Sequence, residues 1–278
     1  RQAEELGSGR GRAEGLTNAG VSAWRLERID EAEAMLQTAY PLWRSIGNRL
    51  GQAAALNNLS LLYARTGEWH AALASYRDAL ELVKHAPNAG KGMVLSNLGL
   101  LYQHLGDYES AADYLQRAVD LFSELKIRPA TARAFINLGR TEMFQDREEA
   151  AGNYFRTAID LLGADADPEG LADARVNLGQ LYVRRGENEN AEAMLSAALQ
   201  VYTARGNLRG EASVRHHLGL LRMAEDPAGA IVELGRSVAL RRDLGLLDDE
   251  ASSLTAIAAA ERELGGFGAA SGHMTQRG

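Results

Sequence analysis

The sequence predicts an all-α protein built as a solenoid of stacked helix-turn-helix units, and three observations carry that expectation. The composition of the 278 residues favours helix throughout, with only five prolines among abundant Ala, Leu, Glu and Arg. Small residues recur in register: Gly20, Ser60, Gly99, Gly139, Gly179, Gly219 and Ala258 stand 39 or 40 residues apart, and a fixed period of this size marks a repeat architecture. Each period holds two helical apolar patterns separated by a breaker. Hairpins stacked in this way make one quasi-linear domain over 1–278, whose core is a continuous seam.

The elements follow in order. Residues 1–6 read as the end of a second helix whose start is missing, because Gly7 lies thirteen residues before Gly20, as Gly47 does before Ser60. Repeats come near 8–47, 48–87, 88–126, 127–166, 167–206 and 207–245, and 246–278 form an incomplete last one. Second helices are marked by Ala32, Ala72, Ala111, Ala151 and Ala191, with Ala230 one residue short and Ala270 in step. Seven residues further on stand Ala39, Ala79, Ala118, Ala158, Ala198 and Ser237. Small residues on both helices allow close backbone approach. The breaker is Thr66-Gly67-Glu68-Trp69 in the second repeat, Leu105-Gly106-Asp107-Tyr108 in the third, Arg185-Gly186-Glu187-Asn188 in the fifth and Leu264-Gly265-Gly266-Phe267 in the last. Glycine there can end the first helix in the left-handed conformation, while Asp107 or Glu68 suits the start of the second. Neither end shows the polar capping helix a solenoid needs, and no Met opens the chain, so a segment of a longer protein is expected.

Catalytic chemistry finds little support. There is no Cys, which removes disulfides, thiolate metal sites and Cys nucleophiles. None of the six His sits at metal-ligand spacing, and the adjacent His216 and His217 point about 100° apart on a helix. Gly7-Ser8-Gly9-Arg10-Gly11 has no strand before it and no Lys-Ser/Thr after it, and so fits an inter-repeat turn better than a phosphate cradle. Glu148-Glu149 and Asp248-Asp249 read as solvated faces. No enzyme activity, cofactor or metal is expected. A formal charge of −7, from 37 acidic and 30 basic side chains, argues against direct nucleic-acid binding. No apolar run approaches 18 residues, so no membrane span is expected.

The repeat resembles the tetratricopeptide repeat. Leu98-Gly99, Tyr102, Ala111, Leu115 and Ala118 carry the pattern in one unit, Leu59-Ser60, Tyr63, Ala72, Tyr76 and Ala79 in another, and Leu178-Gly179, Tyr182, Ala191, Leu195 and Ala198 in a third. Two departures stand out: the period is about 40, not 34, and the closing Pro is absent. This long variant is similar to repeats of kinesin light chains, Pins-type scaffolds, and bacterial signal-transduction ATPases and SARP-type activators. Arg-rich links such as Arg205-Gly206-Asn207-Leu208-Arg209 look most like the bacterial set. The resemblance implies a right-handed α-solenoid.

It also implies that the first helix of each unit lines a concave groove, with outward positions six and three before the small column and one, four and five after it. Projected onto this chain, they give Trp24, Arg25, Asn57, Arg65, Gln103, His104, Arg133, Arg140, Phe144, Gln180, Arg184 and His216 as candidate ligand contacts. Over 35 such slots, Arg25, Arg65, Arg133, Arg140, Arg184 and Arg262 face only three acids, Glu14, Asp173 and Glu263. That balance favours an acidic or carboxylate-bearing peptide. The column Asn18, Asn58, Asn97, Asn137 and Asn177 has two open readings: it ties repeats together, or its amides clamp an extended peptide. Asn57, one position earlier, is expected to face the groove. Phe144 and Trp24 are exposed-aromatic candidates, although Trp24 has the alternative of packing on a preceding repeat.

The resulting expectation is a cytoplasmic scaffold that binds a protein or peptide and serves as the sensor or regulatory arm of a larger bacterial signalling or transcription-regulatory protein. The alternatives are a self-association module that builds a homo-oligomer, and an accessory arm of an enzyme whose active site lies elsewhere.

Overall fold

The computed structural model describes residues 2–275, with side chains for 8–163 and 167–265. Among the described residues every regular element is an α-helix. The chain divides into two compact units, 1–145 and 146–278. The first holds α1 (Gln2–Arg25), α2 (Ile29–Ser45), α3 (Arg49–Thr66), α4 (Trp69–Val83), α5 (Ala89–His104), α6 (Tyr108–Glu124) and α7 (Arg128–Phe144). Here α1–α2, α3–α4 and α5–α6 are hairpins that stack in sequence, and α7 lies on α6. The second holds α8 (Glu148–Ala166), α9 (Pro168–Arg185), α10 (Asn188–Arg205), α11 (Leu208–Arg222), α12 (Pro227–Asp243) and α13 (Leu247–Thr275). In it α8 packs on α9, the pairs α9–α10 and α11–α12 are hairpins, and α13 covers α12.

Four hairpins close where a glycine of the small column meets a leucine of the second helix. A Cβ on Gly99 would stand 2.7 Å from Leu115 Cγ and 3.2 Å from the Ala111 carbonyl oxygen. Gly20 faces Leu36, Gly179 faces Leu195 and Gly219 faces Leu234 in the same way. Ser60 fits the column because its hydroxyl turns back to donate to the Leu56 carbonyl, 2.7 Å away. The alanine columns on the second helices are buried without exception from Ala32 to Ala230.

The turns show that this packing, rather than glycine, imposes the backbone. Gly67 and Gly186 cap their helices at φ 84° and 71°. Glu27 and Asp146 hold the equivalent position in the first and fourth repeats at φ 61° and 56°, and Lys126 does so at an inter-repeat link at φ 57°. An L residue in this region costs roughly 1–2 kcal/mol, so the stacked helices must supply more than that. At the helix starts, the Asp107 carboxylate accepts from the Ser110 amide at 3.0 Å. Glu68 does not cap: its longer side chain instead accepts from the Thr66 hydroxyl at 2.9 Å.

Two expected turns are absent. The 7–11 stretch lies inside α1, where Arg10 pairs with Glu14 one helical turn on and Gly9 faces Ile46 of α2. Glycine permits a turn but does not require one. At the other end α13 runs unbroken through 264–267, Gly265 faces open space and Ala258 is exposed. Without a turn there, no second helix returns to cover the small column. Phe267 and Ala270 lie outside the residues whose side chains are described.

Two substitutions test this account. Gly99→Val should lower stability by about 1–3 kcal/mol through overpacking against Leu115, read as a lower urea midpoint. Gly11→Ala should raise stability by up to about 1 kcal/mol, since Gly11 is helical and meets nothing within 4 Å; a loss would instead indicate a turn.

Candidate functional site

The first helices of the first unit, α3, α5 and α7, share an inner face with two adjoining hollows. One, about 420 Å³, is lined by Leu50, Ala54, Asn57, Asn58 and Met93. The other, about 380 Å³, is lined by Met93, Asn97, Leu100, Pro129, Arg133 and Asn137. Met93 therefore forms part of both walls. Leu50 is 53% exposed and Met93 54%, which is high for large apolar side chains. Arg133 is the charged group that lines this pair of hollows. A smaller hollow of about 250 Å³ beside them takes in Leu61, Ala64, Arg65, Trp69, Leu100 and His104. The floor is thus apolar, with side-chain amides at intervals and positive charge toward one end.

The candidate contacts divide into three groups. Four of the residues five after the small column, Arg65, His104, Phe144 and Arg184, form clasps between successive repeats. Arg65 donates to Glu27 at 2.9 Å, and Arg184 donates to Asp146 at 2.9 Å with Glu148 3.5 Å away. His104 stacks on Trp69 with ring centroids 4.6 Å apart, and Phe144 lies parallel to Tyr108 at 5.5 Å. Each residue reaches back to the turn of the preceding hairpin. Two of the six groove arginines, Arg65 and Arg184, are therefore neutralised in place, which weakens the positive balance expected from the slots.

A second group is buried, which corrects the expectation that it faces the groove. Asn57 is 5% exposed and accepts from Asn97 Nδ2 at 2.9 Å. This contact makes Asn97 a tie between α3 and α5, and Asn57 the other half of that tie. Gln103 donates to the Thr141 hydroxyl of α7 at 3.2 Å. His216 is buried with Nδ1 3.0 Å from Ser253 Oγ, and Gln180 Nε2 lies 2.6 Å from His217 Nε2. Within each unit the position three before the small column looks toward the next repeat, and Val176 is buried there as well. Burial pushes both His216 and His217 down to about 4 from 6.5, with Arg241 adding to the effect, so both rings are neutral at pH 7. Trp24 is half-buried against Ala23, Ala32 and Leu62, inside its own unit.

The third group is open. Arg25, Arg133 and Arg140 are exposed and make no ion pair among the described residues. What was not singled out from the sequence is the apolar floor: Met93 and Leu100 occupy projected slots, six before and one after Gly99, but were not among the named contacts, and Leu50 lies outside the slots. In the second unit a hollow of about 690 Å³ lies at the hairpin turns. It is lined by acids, including Glu187, Glu189, Glu225 and Asp226, beside the Arg222–Glu192 pair. Among the described residues no group of three or more His, Asp or Glu is placed to hold a metal, and no helix is long and apolar enough to cross a membrane.

No curated protein matches the chain. Among solved structures, one similar chain is that of the APC/C hetero-tetramer Cut9–Hcn1, with a TM-score of 0.68 and 20% identity over 90% of this chain. The present chain spans only 43% of that one. BtubC (BKLC) from P. vanneervenii has a TM-score of 0.62 at 19% identity, covering 85% of this chain and 92% of that one. A Rap protein complexed with competence and sporulation factor has 0.66 at 13% identity, covering 91% and 76% respectively. At such identities the likeness is one of fold. Profiles described as tetratricopeptide repeat match residues 11–85 and 91–164, and again 172–204, together more than half of the sequence. With its hairpins closed at the same small-residue column that those repeats use, the chain belongs to the tetratricopeptide repeat family.

Proposed function

We propose that this chain is a protein-interaction scaffold that takes an extended polypeptide segment along the inner face of α3, α5 and α7. One observation carries this: Leu50 and Met93 are more than half exposed on a continuous apolar floor interrupted by asparagine amides. Apolar ligand side chains would enter the two hollows around Met93, while Asn58 and Asn137 meet the ligand backbone. Arg133 and Arg140 would favour an acidic residue at one end of the segment. The acidic preference is therefore local, set by two free arginines and not by a basic groove. In this reading the repeats act in the bacterial cytoplasm as the regulatory arm of a larger signalling or transcription-regulatory protein. Support comes from the Rap neighbour of similar fold, solved in complex with competence and sporulation factor. The role is binding rather than catalysis, as is typical for this fold.

A second reading, self-association, is favoured by Leu247, Leu254 and Leu264, exposed together on α13. Light scattering across concentration separates the two, since a monomer at all concentrations removes self-association.

Selection of a random peptide library on the chain should yield apolar segments with an acidic residue. Met93→Glu should weaken the selected peptides at least tenfold, in line with about 1.5–3 kcal/mol for burying such a side chain. Arg133→Glu with Arg140→Glu should remove the acidic preference and leave apolar binding. Peptides indifferent to Met93→Glu would overturn the assignment. The asparagines should separate by role. Asn97→Ala should cost about 1–3 kcal/mol in stability by stranding the buried Asn57 oxygen. Asn137→Ala should weaken peptide binding while the melting temperature holds.

A further inference from the structure

The second unit contains a buried polar chain that peptide binding on α3, α5 and α7 does not use. Arg241 of α12 is 6% exposed and has no carboxylate at ion-pair distance among the described residues. Its Nη1 donates to Ser253 Oγ of α13 at 2.6 Å and to the Asp249 carbonyl. Ser253 Oγ also lies 3.0 Å from His216 Nδ1 of α11 and 3.2 Å from Ser237 Oγ. The Ser237 hydroxyl donates to the Ala212 carbonyl at 2.8 Å. Ser253 accepts from Arg241 and has one proton to give, to His216 Nδ1 or to Ser237 Oγ, and either arrangement is satisfied by a neutral His216. A second proton on that ring would bring two cations, imidazolium and guanidinium, to one hydroxyl oxygen out of water.

We propose that the Arg241–Ser253–His216 chain is an acid-sensitive latch, which docks α13 on the α11–α12 hairpin while His216 is neutral and releases it when His216 is protonated. The charged groups acting on the two adjacent rings are Arg241 of α12 and Asp249 of α13. From α9 comes the neutral Gln180 amide, while Asp173 on that helix is taken by the Tyr202 hydroxyl of α10. Elsewhere on α12 and α13, Glu233 is paired with Arg215 of α11, and Glu250 with Arg242. Asp249 is the one carboxylate left to favour an imidazolium at His216, and burial together with Arg241 outweighs it. The sign of the pH effect follows. The ring is held at about 4 when docked and returns to 6.5 when freed, so the freed state binds more protons between those values. Docking is complete above pH 6.5 and weakens as the pH falls toward 4.

Hydrogen–deuterium exchange on the whole chain, expressed as protection factors to remove the intrinsic pH effect, tests this. Between pH 7.5 and 5.0 the amides of 251–260 should lose protection by about thirtyfold for the single His216 proton. Those of α10 should hold. His216→Gln, which keeps a neutral polar group, should leave α13 protected at pH 5.0. If that variant fails to dock even at pH 7.5, Arg241→Met serves instead: with the facing cation gone, the acid loss should shrink. α13 protection that does not change with pH in the wild type would overturn the latch. So would an undiminished acid loss in His216→Gln, or in Arg241→Met where that variant is needed, because acidic side chains would then be responsible.

Discussion

The rest of the structure depends on one close approach: the small residue of the first helix against a large buried side chain of the second, a leucine in four of the hairpins. With a Cβ on Gly99 only 2.7 Å from Leu115, the two helices of the hairpin pack with no room to spare. That contact sets the height at which the hairpin closes, and hence where its turn falls. It explains why Glu27 and Asp146 adopt left-handed backbone without being glycine. Once the helices meet at the small column, the chain has few residues in which to reverse, and the strained residue lies where the count places it. Where no second helix meets the column, as at Ala258, there is neither a turn nor burial.

The clasps follow from the same geometry. Fixing the hairpin places the end of each first helix beside the preceding turn, and the side chain found there makes the best contact it can. Arg65 and Arg184 find acids, while His104 and Phe144 find aromatic rings. The ionic clasps are largely exposed and contribute about 0–1 kcal/mol each; the stacked rings contribute about 0.5–1.5 kcal/mol beyond their burial. Their value is mainly in register, since either kind fixes the same geometry by different chemistry. That is why the column shows no single residue type.

This also marks the limit of what could be read from the sequence. The hairpins, their period and their buried alanines were legible because they are contacts within one repeat, and one repeat is what periodicity samples. The position three before the small column was misread for the opposite reason. Asn57 and His216 are buried by the neighbouring repeat, through Asn97 and Ser253, about 40 residues away. A unit viewed alone shows those positions as outward. The open group at Arg25, Arg133 and Arg140 agrees with the projection because nothing in the next repeat reaches them. The apolar floor around Met93 was hidden because it is a property of three stacked helices and not of any one. The ends misled differently, since Gly9 and Gly265 look like turn residues and a turn needs a partner helix as well.

The seams between repeats differ in what they demand. Asn57 and Asn97 satisfy each other with neutral groups, so that seam is indifferent to pH over the physiological range. The seam at α13 instead rests on a guanidinium fed by hydroxyl and carbonyl oxygens. Burying such a cation without a carboxylate is expensive, and replacing the whole set with apolar side chains would often be neutral or stabilising. Its tolerance therefore depends on His216 staying neutral beside that guanidinium. Ser253 Oγ sits between the two, 2.6 Å from the guanidinium and 3.0 Å from the ring. A seam built this way is specific, and it fails as a unit when the ring takes a second proton. Under the proposed latch the attachment of α13 depends on a titratable ring beside a buried cation, and the Gln180–His217 contact between α9 and α11 carries a second such ring, whereas the α3–α5 seam rests on neutral amides.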